Sequence, residues 1–219
     1  MKKYLEIIKE CNLFSGIEEQ NLLAMLGCLG ARVCEYRKNS IIIAEGTAVK
    51  KLGIVLSGAV GISRVDYYGN RSIVATIEPS QLFGESFACA EVEAVPIDVV
   101  AEKDSEIMFI DCNRITHSCC NACEFHSRII YNLLKIVAEK NLMFNQKIEI
   151  TSKRTTREKL MTYLSLMAKK KGSNSFYIPY DRQSLADFLE VERSGLSAEI
   201  SKLRNEGIIE SKRNYFKIL

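Results

Sequence analysis

Two groups of residues in this 219-residue chain have the types and spacing to do chemistry. The first is Cys112, His117, Cys119, Cys120, Cys123 and His126. Cys119 or Cys120 with Cys123 and His126 has the short spacing of metal ligands, and thiolate and imidazole suit zinc or an iron–sulfur centre. The same thiols could act as redox sensors, or pack as small hydrophobes at a junction, so no metal site is assigned from spacing alone. Haem would need an axial ligand, for which the chain offers only His117 and His126. The second group is Arg193, Ser194 and Ser197, polar residues facing outward near the start of a short helix. An arginine there can hold guanine O6 and N7 bidentately or grip a phosphate, and serine hydroxyls bond bases or phosphates with little selectivity. Lys212 and Arg213 at a hairpin tip are further phosphate ligands, or simply solvated charges. No nucleophile–base arrangement, phosphate loop or metal-protease motif is present, and Glu85 alone is no general base, so the chain reads as a non-enzyme.

The elements that must hold these residues follow from periodicity. From Asp181 to Ile209, apolar residues fall at Leu185, Ala186, Phe188 and Leu189, then at Leu196, Ile200 and Leu203. Spacings of three and four put each set on one face of a helix. Asp181 is placed to cap the first helix, and Gly207 ends the second. A hairpin follows, Ile208 to Ser211 and Tyr215 to Leu219, with Lys212-Arg213-Asn214 at its tip. Helix, turn, helix and basic-tipped hairpin is the pattern of a winged helix-turn-helix, whose second helix enters the major groove of DNA. The competing reading is a helical hairpin with a β-ribbon that binds nothing, or binds protein. Charge favours DNA: residues 151–219 hold 14 Lys and Arg against 8 Asp and Glu, whereas residues 1–150 hold 16 against 19. The whole-chain charge of +3 therefore hides a basic module on a mildly acidic body.

Upstream, residues 3–29 read as helical with a loop near Asn12 to Gly16, and Ser15 with Glu18 has the form of a capping box. From Arg32 to Asp111 the period changes to short β-rich runs separated by turn signals, which argues for a sandwich, barrel or jelly roll. The runs are Ile41–Ile43, Leu52–Leu56, Val60–Val65, Ser72–Ile77, Ile97–Ala101 and Glu106–Ile110, with a hairpin tip at Tyr68-Gly69-Asn70. Residues 124–150 form a long helix free of proline and glycine. Ile129, Leu133, Ile136, Met143 and Ile150 make one stripe, extended through Lys140 and Lys147. Ile130, Leu134, Val137, Phe144 and Ile148 make another. One stripe can face the β-domain and the other a partner helix, which predicts a homodimer through parallel helix pairing; the competing reading buries the helix within one chain. A hinge is expected at 151–154, followed by a capping box from Thr155 and Glu158 and a helix ending in Lys169-Lys170-Lys171-Gly172.

At 47% hydrophobic and 26% charged, the composition is that of an ordinary globular protein, with no apolar run of transmembrane length. The N-terminus MKKYLEIIKE is broken by Glu6, Lys9 and Glu10 and does not read as a signal peptide. Eight cysteines without a secretory signal are expected to be reduced, so the chain reads as cytoplasmic with no membrane partner.

The order of helix pair, β-rich region, long helix, hinge and winged helix resembles the cyclic-AMP receptor / fumarate-nitrate regulator (Crp/Fnr) family of bacterial transcription factors. The segments carrying the resemblance are Leu13-Phe14-Ser15-Gly16-Ile17, Val55-Leu56-Ser57-Gly58-Ala59-Val60, Leu82-Phe83-Gly84-Glu85, Asp181-Arg182-Gln183-Ser184-Leu185-Ala186 and Leu203-Arg204-Asn205-Glu206-Gly207-Ile208-Ile209. They span nearly the whole chain. The resemblance implies an α+β fold: an N-terminal β-roll sensor (a double-stranded β-helix, or jelly roll) over residues 1–123, a dimerisation helix over 124–150 and a DNA-binding domain over 151–219. It also implies a near-palindromic operator on double-stranded DNA, with RNA polymerase as a further candidate partner, and an effector whose binding controls how the recognition helices are presented. The family's DNA-contacting positions fall on Arg193, Ser194, Ser197 and Ala198, with Arg182 and Gln183 matching backbone contacts. A family glutamate is Ser194 here and a family arginine is Ala198, so the operator should differ from those of the named prototypes. The implied effector pocket takes in Phe83, Gly84, Glu85, Ser86, Val95 and Pro96. In the family's cyclic-nucleotide binders an Arg-Ser pair clamps the cyclic phosphate; here that pair aligns with Val95-Pro96, among carboxylates, so cyclic AMP is not the expected effector. The iron–sulfur branch carries an N-terminal cysteine cluster, where this chain has only Cys11. The turn glycine between the two helices is Glu190, at a cost of about 1 kcal/mol if that position still needs φ > 0, and Gly195 inside the recognition helix costs about 1 kcal/mol relative to alanine.

Overall fold

In the computed structural model of the protein, residues 1–65, 71–116 and 124–219 are described. The chain divides into one unit over Met1–Glu139 and another over Lys140–Leu219.

The first unit opens with a 3-10 turn, Lys2–Tyr4, then α1 (Leu5–Glu10), a second 3-10 turn at Asn12–Phe14, and α2 (Glu19–Cys28). The capping box expected from Ser15 and Glu18 does not form: Glu18 itself is the N-cap of α2 and its side chain caps nothing. Gly16 adopts a left-handed φ of 75°. Ile17 then packs against the core, and the chain stays extended through Glu18. The helix starts one turn later than the Ser-x-x-Glu pattern suggests. Tyr4, Ile8, Leu13, Phe14, Leu22, Met25, Leu26 and Leu29 bury against Leu52, Ile54, Leu56, Met108 and Ile110 of the sheet.

Among the described residues eight strands follow: β1 (Arg32–Tyr36), β2 (Ile41–Ile43), β3 (Lys51–Ser57), β4 (Val60–Val65), β5 (Arg71–Ile77), β6 (Leu82–Phe83), β7 (Asp98–Ala101) and β8 (Ser105–Asp111). They form two four-stranded antiparallel sheets, β1-β8-β3-β6 and β2-β7-β4-β5. The anticipated runs lie in strands, except that Ile97 falls just before β7; β1 and the two-residue β6 were not separately foreseen. The hairpin tip expected at Tyr68-Gly69-Asn70 lies outside the described residues. Between the sheets, Val55, Val60, Phe83, Val95, Val99 and Ile107 form an apolar cluster. The two sheets thus make the jelly roll that the family resemblance implies. Two short helices accompany the strands: α3 (Glu85–Cys89) lies between β6 and β7, and α4 (Cys112–Thr116) follows β8.

The long helix α5 runs from Glu124 to Thr151, one residue beyond the expected end. Ile129, Leu133 and Ile136 bury in the core of the first unit, as one stripe predicts. Ile150 buries in the core of the second unit, but Met143, assigned to the same stripe, is 68% exposed.

The second unit holds α6 (Thr156–Lys171), β9 (Ser175–Tyr177), α7 (Arg182–Leu189), α8 (Arg193–Asn205), β10 (Ile209–Lys212) and β11 (Tyr215–Ile218). The Thr155–Glu158 capping box is present in both directions, and Gly172 closes α6 in a left-handed conformation after Lys169, Lys170 and Lys171. The sheet order is β10-β11-β9, all antiparallel. Lys212 pairs with Tyr215, so the wing turns on Arg213 and Asn214 alone, with Arg213 at a φ of 55°. The tip is therefore two residues rather than three, and Lys212 is the last residue of a strand. Two-residue hairpin loops match strand twist when a central residue takes positive φ, which Arg213 does here.

Candidate nucleic-acid interface and effector site

α8 is held from behind. Leu196 and Leu203 are fully buried and Ile200 nearly so, packed with Leu160, Leu164, Leu185, Leu189 and Phe216. Each such side chain stabilises the packed helix by about 1.5–3 kcal/mol. Arg157 on α6 forms a bidentate pair with Glu206, at 3.2 and 2.5 Å, and lies 3.6 Å from Glu199 of α8. With its inner face committed, α8 leaves Arg193, Ser194, Ser197 and Ala198 exposed along its N-terminal half. These are the positions singled out in the sequence.

The partner helix α7 is capped as expected: Asp181 Oδ1 accepts the Ser184 N–H at 2.8 Å. The Ser184 N–H and hydroxyl hold the Asp181 carboxyl below its usual range, and the charge of Arg193 adds to the shift. Arg182 is only half available. Its guanidinium lies 5.2 Å from the centroid of the buried Phe216 ring, and burial, with the nearby charge of Arg204, lowers its pKa. Gln183 is exposed, and its amide donates to Asp187 Oδ1 at 2.9 Å. Lys212 and Arg213 are exposed on the wing. The contact of Arg182 with Phe216 was not legible in sequence, since the two residues lie far apart along the chain.

Glu190 occupies the tight turn between α7 and α8 with φ 54° and ψ 56°, the left-handed conformation usually given to glycine. Two cations stand around it. Lys147 Nζ lies 3.6 Å from its carboxylate, and Lys159 Nζ donates to its carbonyl at 3.3 Å. Lys147 also donates to the Phe188 carbonyl and sits 4.4 Å above the Phe188 ring. Lys147 therefore caps the end of α7, rather than simply interrupting an apolar seam of α5.

Of the residues assigned to an effector pocket, Phe83 and Val95 share one buried cluster. Phe83 is buried against the glycine of β3: a Cβ on Gly53 would stand 2.3 Å from the Phe83 ring. Gly84, at φ 74°, turns the chain into α3, whose first residue, Glu85, is 3% exposed and close to the Ser86 hydroxyl at 3.5 Å. Val95 is locked by its backbone: its N–H donates to Thr47 O at 3.0 Å and its carbonyl accepts from Gly46 at 2.8 Å. Its side chain is buried in the same cluster as Phe83, whereas Pro96 and Ser86 are exposed. Of the nearby carboxylates, Asp98 accepts the Glu45 N–H at 2.8 Å, and Glu91 and Glu93 are exposed. A separate cavity of about 630 Å³ opens beside the roll, lined by Arg32, Tyr36, Lys50, Lys51 and Phe109 among others. None of the six assigned pocket residues lines it.

Of the metal candidates, Cys119, Cys120 and Cys123, together with His117, lie outside the described residues. His126 is buried, with Nε2 3.2 Å from the Arg114 carbonyl. Among the described residues no group of three or more His, Cys, Asp or Glu side chains is placed to hold a metal ion. Cys11 is buried, which pushes its thiol up to about 11, while Cys28, Cys34 and Cys89 are exposed. No helix among the described residues is long and apolar enough to cross a membrane.

This arrangement, an antiparallel β-roll, a long helix and a winged helix-turn-helix, defines a class of two-domain regulators. The sequence matches the cyclic nucleotide-binding domain family over residues 33–117 and the Crp-like helix-turn-helix domain family over residues 158–219. The chain belongs to the Crp/Fnr family of transcription regulators. Among similar solved structures is the Catabolite Activator Protein of Thermus thermophilus, 19% identical, covering 95% of this chain and 93% of that one with a TM-score of 0.50. The regulator CLP of Xanthomonas campestris is 14% identical over 92% of this chain and 99% of its own, with a TM-score of 0.58. DNR of Pseudomonas aeruginosa is 17% identical over 100% and 95%, with a TM-score of 0.51. A search of curated protein sequences finds no match.

Proposed function

We propose that the protein is a homodimeric, sequence-specific DNA-binding regulator acting in the cytoplasm, whose β-roll takes an effector other than cyclic AMP. The observation that carries the DNA reading is α8. Its apolar face is wholly buried while Arg193, Ser194, Ser197 and Ala198 stand exposed together on its N-terminal half. A recognition helix in a major groove reads bases with those N-terminal positions. Arg193 supplies the discriminating contact, the serines supply less selective ones, and Lys212, Arg213, Arg182 and Gln183 serve the phosphates.

The effector reading rests on Val95. Where a cyclic phosphate would need a cation, this chain buries an apolar side chain whose backbone is pinned to residues 46 and 47. A phosphate diester brought there would be stripped of water without a charge-assisted bond in return. The Xanthomonas regulator of similar fold is described as responsive to c-di-GMP, so the fold by itself does not name a ligand. Effector binding near Glu85 would shift the population of α5 arrangements, and the 151–154 segment would reorient the winged helix.

Selection from a random duplex library, with and without reductant, tests the reading. Enrichment of a palindrome with half-sites about one helical turn apart is expected. Arg193→Ala should relax one base position by about 1–3 kcal/mol, roughly 5–150-fold. An unchanged preference in that variant would remove Arg193 from the reading. No enrichment even with cell extract added would overturn DNA recognition itself. Dependence on reductant would favour a redox or metal input through Cys112 and the cysteines of 119–123.

A further inference from the structure

The folded chain brings together two thiols that the sequence keeps 23 residues apart. Cys89 is the last residue of α3 and exposed; Cys112 is the first residue of α4 and buried. Their Sγ atoms are 3.0 Å apart. Neither sulfur needs to travel more than about 1 Å to reach bonding distance. We propose that Cys89 and Cys112 form a reversible intramolecular disulfide under oxidant, tying the end of α3 to the start of α4.

The pair is asymmetric in the way such chemistry requires. The contact with Cys112 lowers the pKa of Cys89 against the opposing effects of burial and Glu85. The same contact raises Cys112, and burial, Asp111 and Glu91 push it further in that direction. Exposure and the lowered pKa give Cys89 the attacking role, and the buried Cys112 behind it the resolving role. With hydrogen peroxide as oxidant, the Cys89 thiolate attacks one peroxide oxygen. The O–O bond breaks, the departing hydroxide takes up a proton as water, and Cys89 becomes a sulfenic acid. Cys112 sulfur then attacks Cys89 Sγ. The S–S bond forms as the S–O bond breaks, and the hydroxide leaves with the Cys112 proton as a second water. The two thiols lose two electrons, and peroxide is reduced to two waters. Thiol–disulfide exchange with a small dithiol reverses the bond.

The consequence is local and falls on a functional element. α3 begins at Glu85, the buried carboxylate beside Phe83 and Gly84, and ends at Cys89. A bond at its far end would fix a five-residue helix whose first residue belongs to the assigned effector pocket. The reacting pair does not require the cysteines of 119–123, and the assignment does not depend on the DNA reading.

Peptide mapping of the full chain after peroxide treatment tests it. Remaining thiols are alkylated before non-reducing digestion, and the intact protein is run on a non-reducing gel. The expected product joins the Cys89 and Cys112 peptides, is lighter by two hydrogen atoms, reverts with dithiothreitol and keeps monomer mobility. In Cys112→Ser, the Cys89 sulfenic acid should persist and be trapped by dimedone; in Cys89→Ser, Cys112 should remain a thiol. Cys89 is exposed, so its serine variant should keep the native circular dichroism. The assignment is overturned if Cys89 and Cys112 are both recovered alkylated while other cysteines oxidise. It is equally overturned if either one pairs with Cys119, Cys120 or Cys123, or if Cys89 in Cys112→Ser yields no dimedone adduct.

Discussion

Glu190 shows how a single residue trades local strain against neighbouring charge. A non-glycine residue in the left-handed region costs about 1–2 kcal/mol. Its carboxylate gains an ion pair with Lys147 at 3.6 Å, but that carboxylate is 62% exposed, and such pairs return about 0–1 kcal/mol. The strain should outweigh the pair. Glu190→Gly is therefore expected to stabilise the second unit by about 0.5–1 kcal/mol, read as a higher urea midpoint with unchanged slope by circular dichroism. The Lys159 bond to the residue-190 carbonyl survives the change, since it is made to the backbone. A lower midpoint would mean that the carboxylate matters more than the turn. At this scale the sequence was legible where the chemistry is local. Asp181 caps Ser184 three residues on, and Thr155 meets Glu158 at the same separation. It was silent on Arg182 against Phe216 and on Cys89 beside Cys112, because only the fold closes those distances.

Elements carry the next level of meaning, and Glu106 on β8 is the clearest joint between them. Its Oε1 accepts from Lys3 Nζ at 2.8 Å and from the Tyr4 hydroxyl at 2.5 Å, and its Oε2 accepts from the Ser57 hydroxyl at 3.0 Å. The first helical turn, β3 and β8 thus meet on one carboxylate. Lys3 first, then Tyr4, hold its pKa down to about 2. A carboxyl depressed in the folded state, against an ordinary value of about 4.3, binds fewer protons folded than unfolded between those limits. Its contribution to stability is therefore complete above about pH 4.3 and is lost as pH falls toward about 2. Glu106→Gln should be less stable than wild type at neutral pH, with the two thermal midpoints converging across that acid window. Parallel curves from neutral pH to about pH 2 would sink the assignment. Periodicity foretold the strands and α5 well, since burial on one face enforces it. It failed at Ser15, where a left-handed Gly16 overrides a capping pattern, and at Met143, where the stripe of α5 passes from one core to the next without burying that side chain.

For the whole molecule, the proposed dimer would rest on an α5 stripe that is largely exposed, with only Val137 of its apolar positions packed against the first unit's core. Positions 130, 134, 137, 141, 144 and 148 recur at alternating spacings of four and three, the repeat of a two-stranded coiled coil. Ile130, Leu134, Phe144 and Ile148 are between 38% and 66% exposed in the single chain. Asn141 lies seven residues from both Leu134 and Ile148, in the same heptad position, and its Oδ1 accepts from Asn145 at 2.8 Å. An asparagine inside an apolar seam costs stability but specifies register and a two-stranded state. That would suit the proposed dimer, in which two α8 helices would meet half-sites at a set spacing. Leu134→Asp places two carboxylates in the seam by symmetry and removes two leucines from it. At about 1.5–3 kcal/mol per leucine, dimer dissociation should rise by roughly 10²–10⁴-fold. Sedimentation at micromolar concentration should show a monomer with native circular dichroism, and selection from random DNA should then yield at most a single half-site. A variant that stays dimeric would move the interface off this face of α5. A monomer that still selects the full palindrome would separate dimerisation from DNA reading.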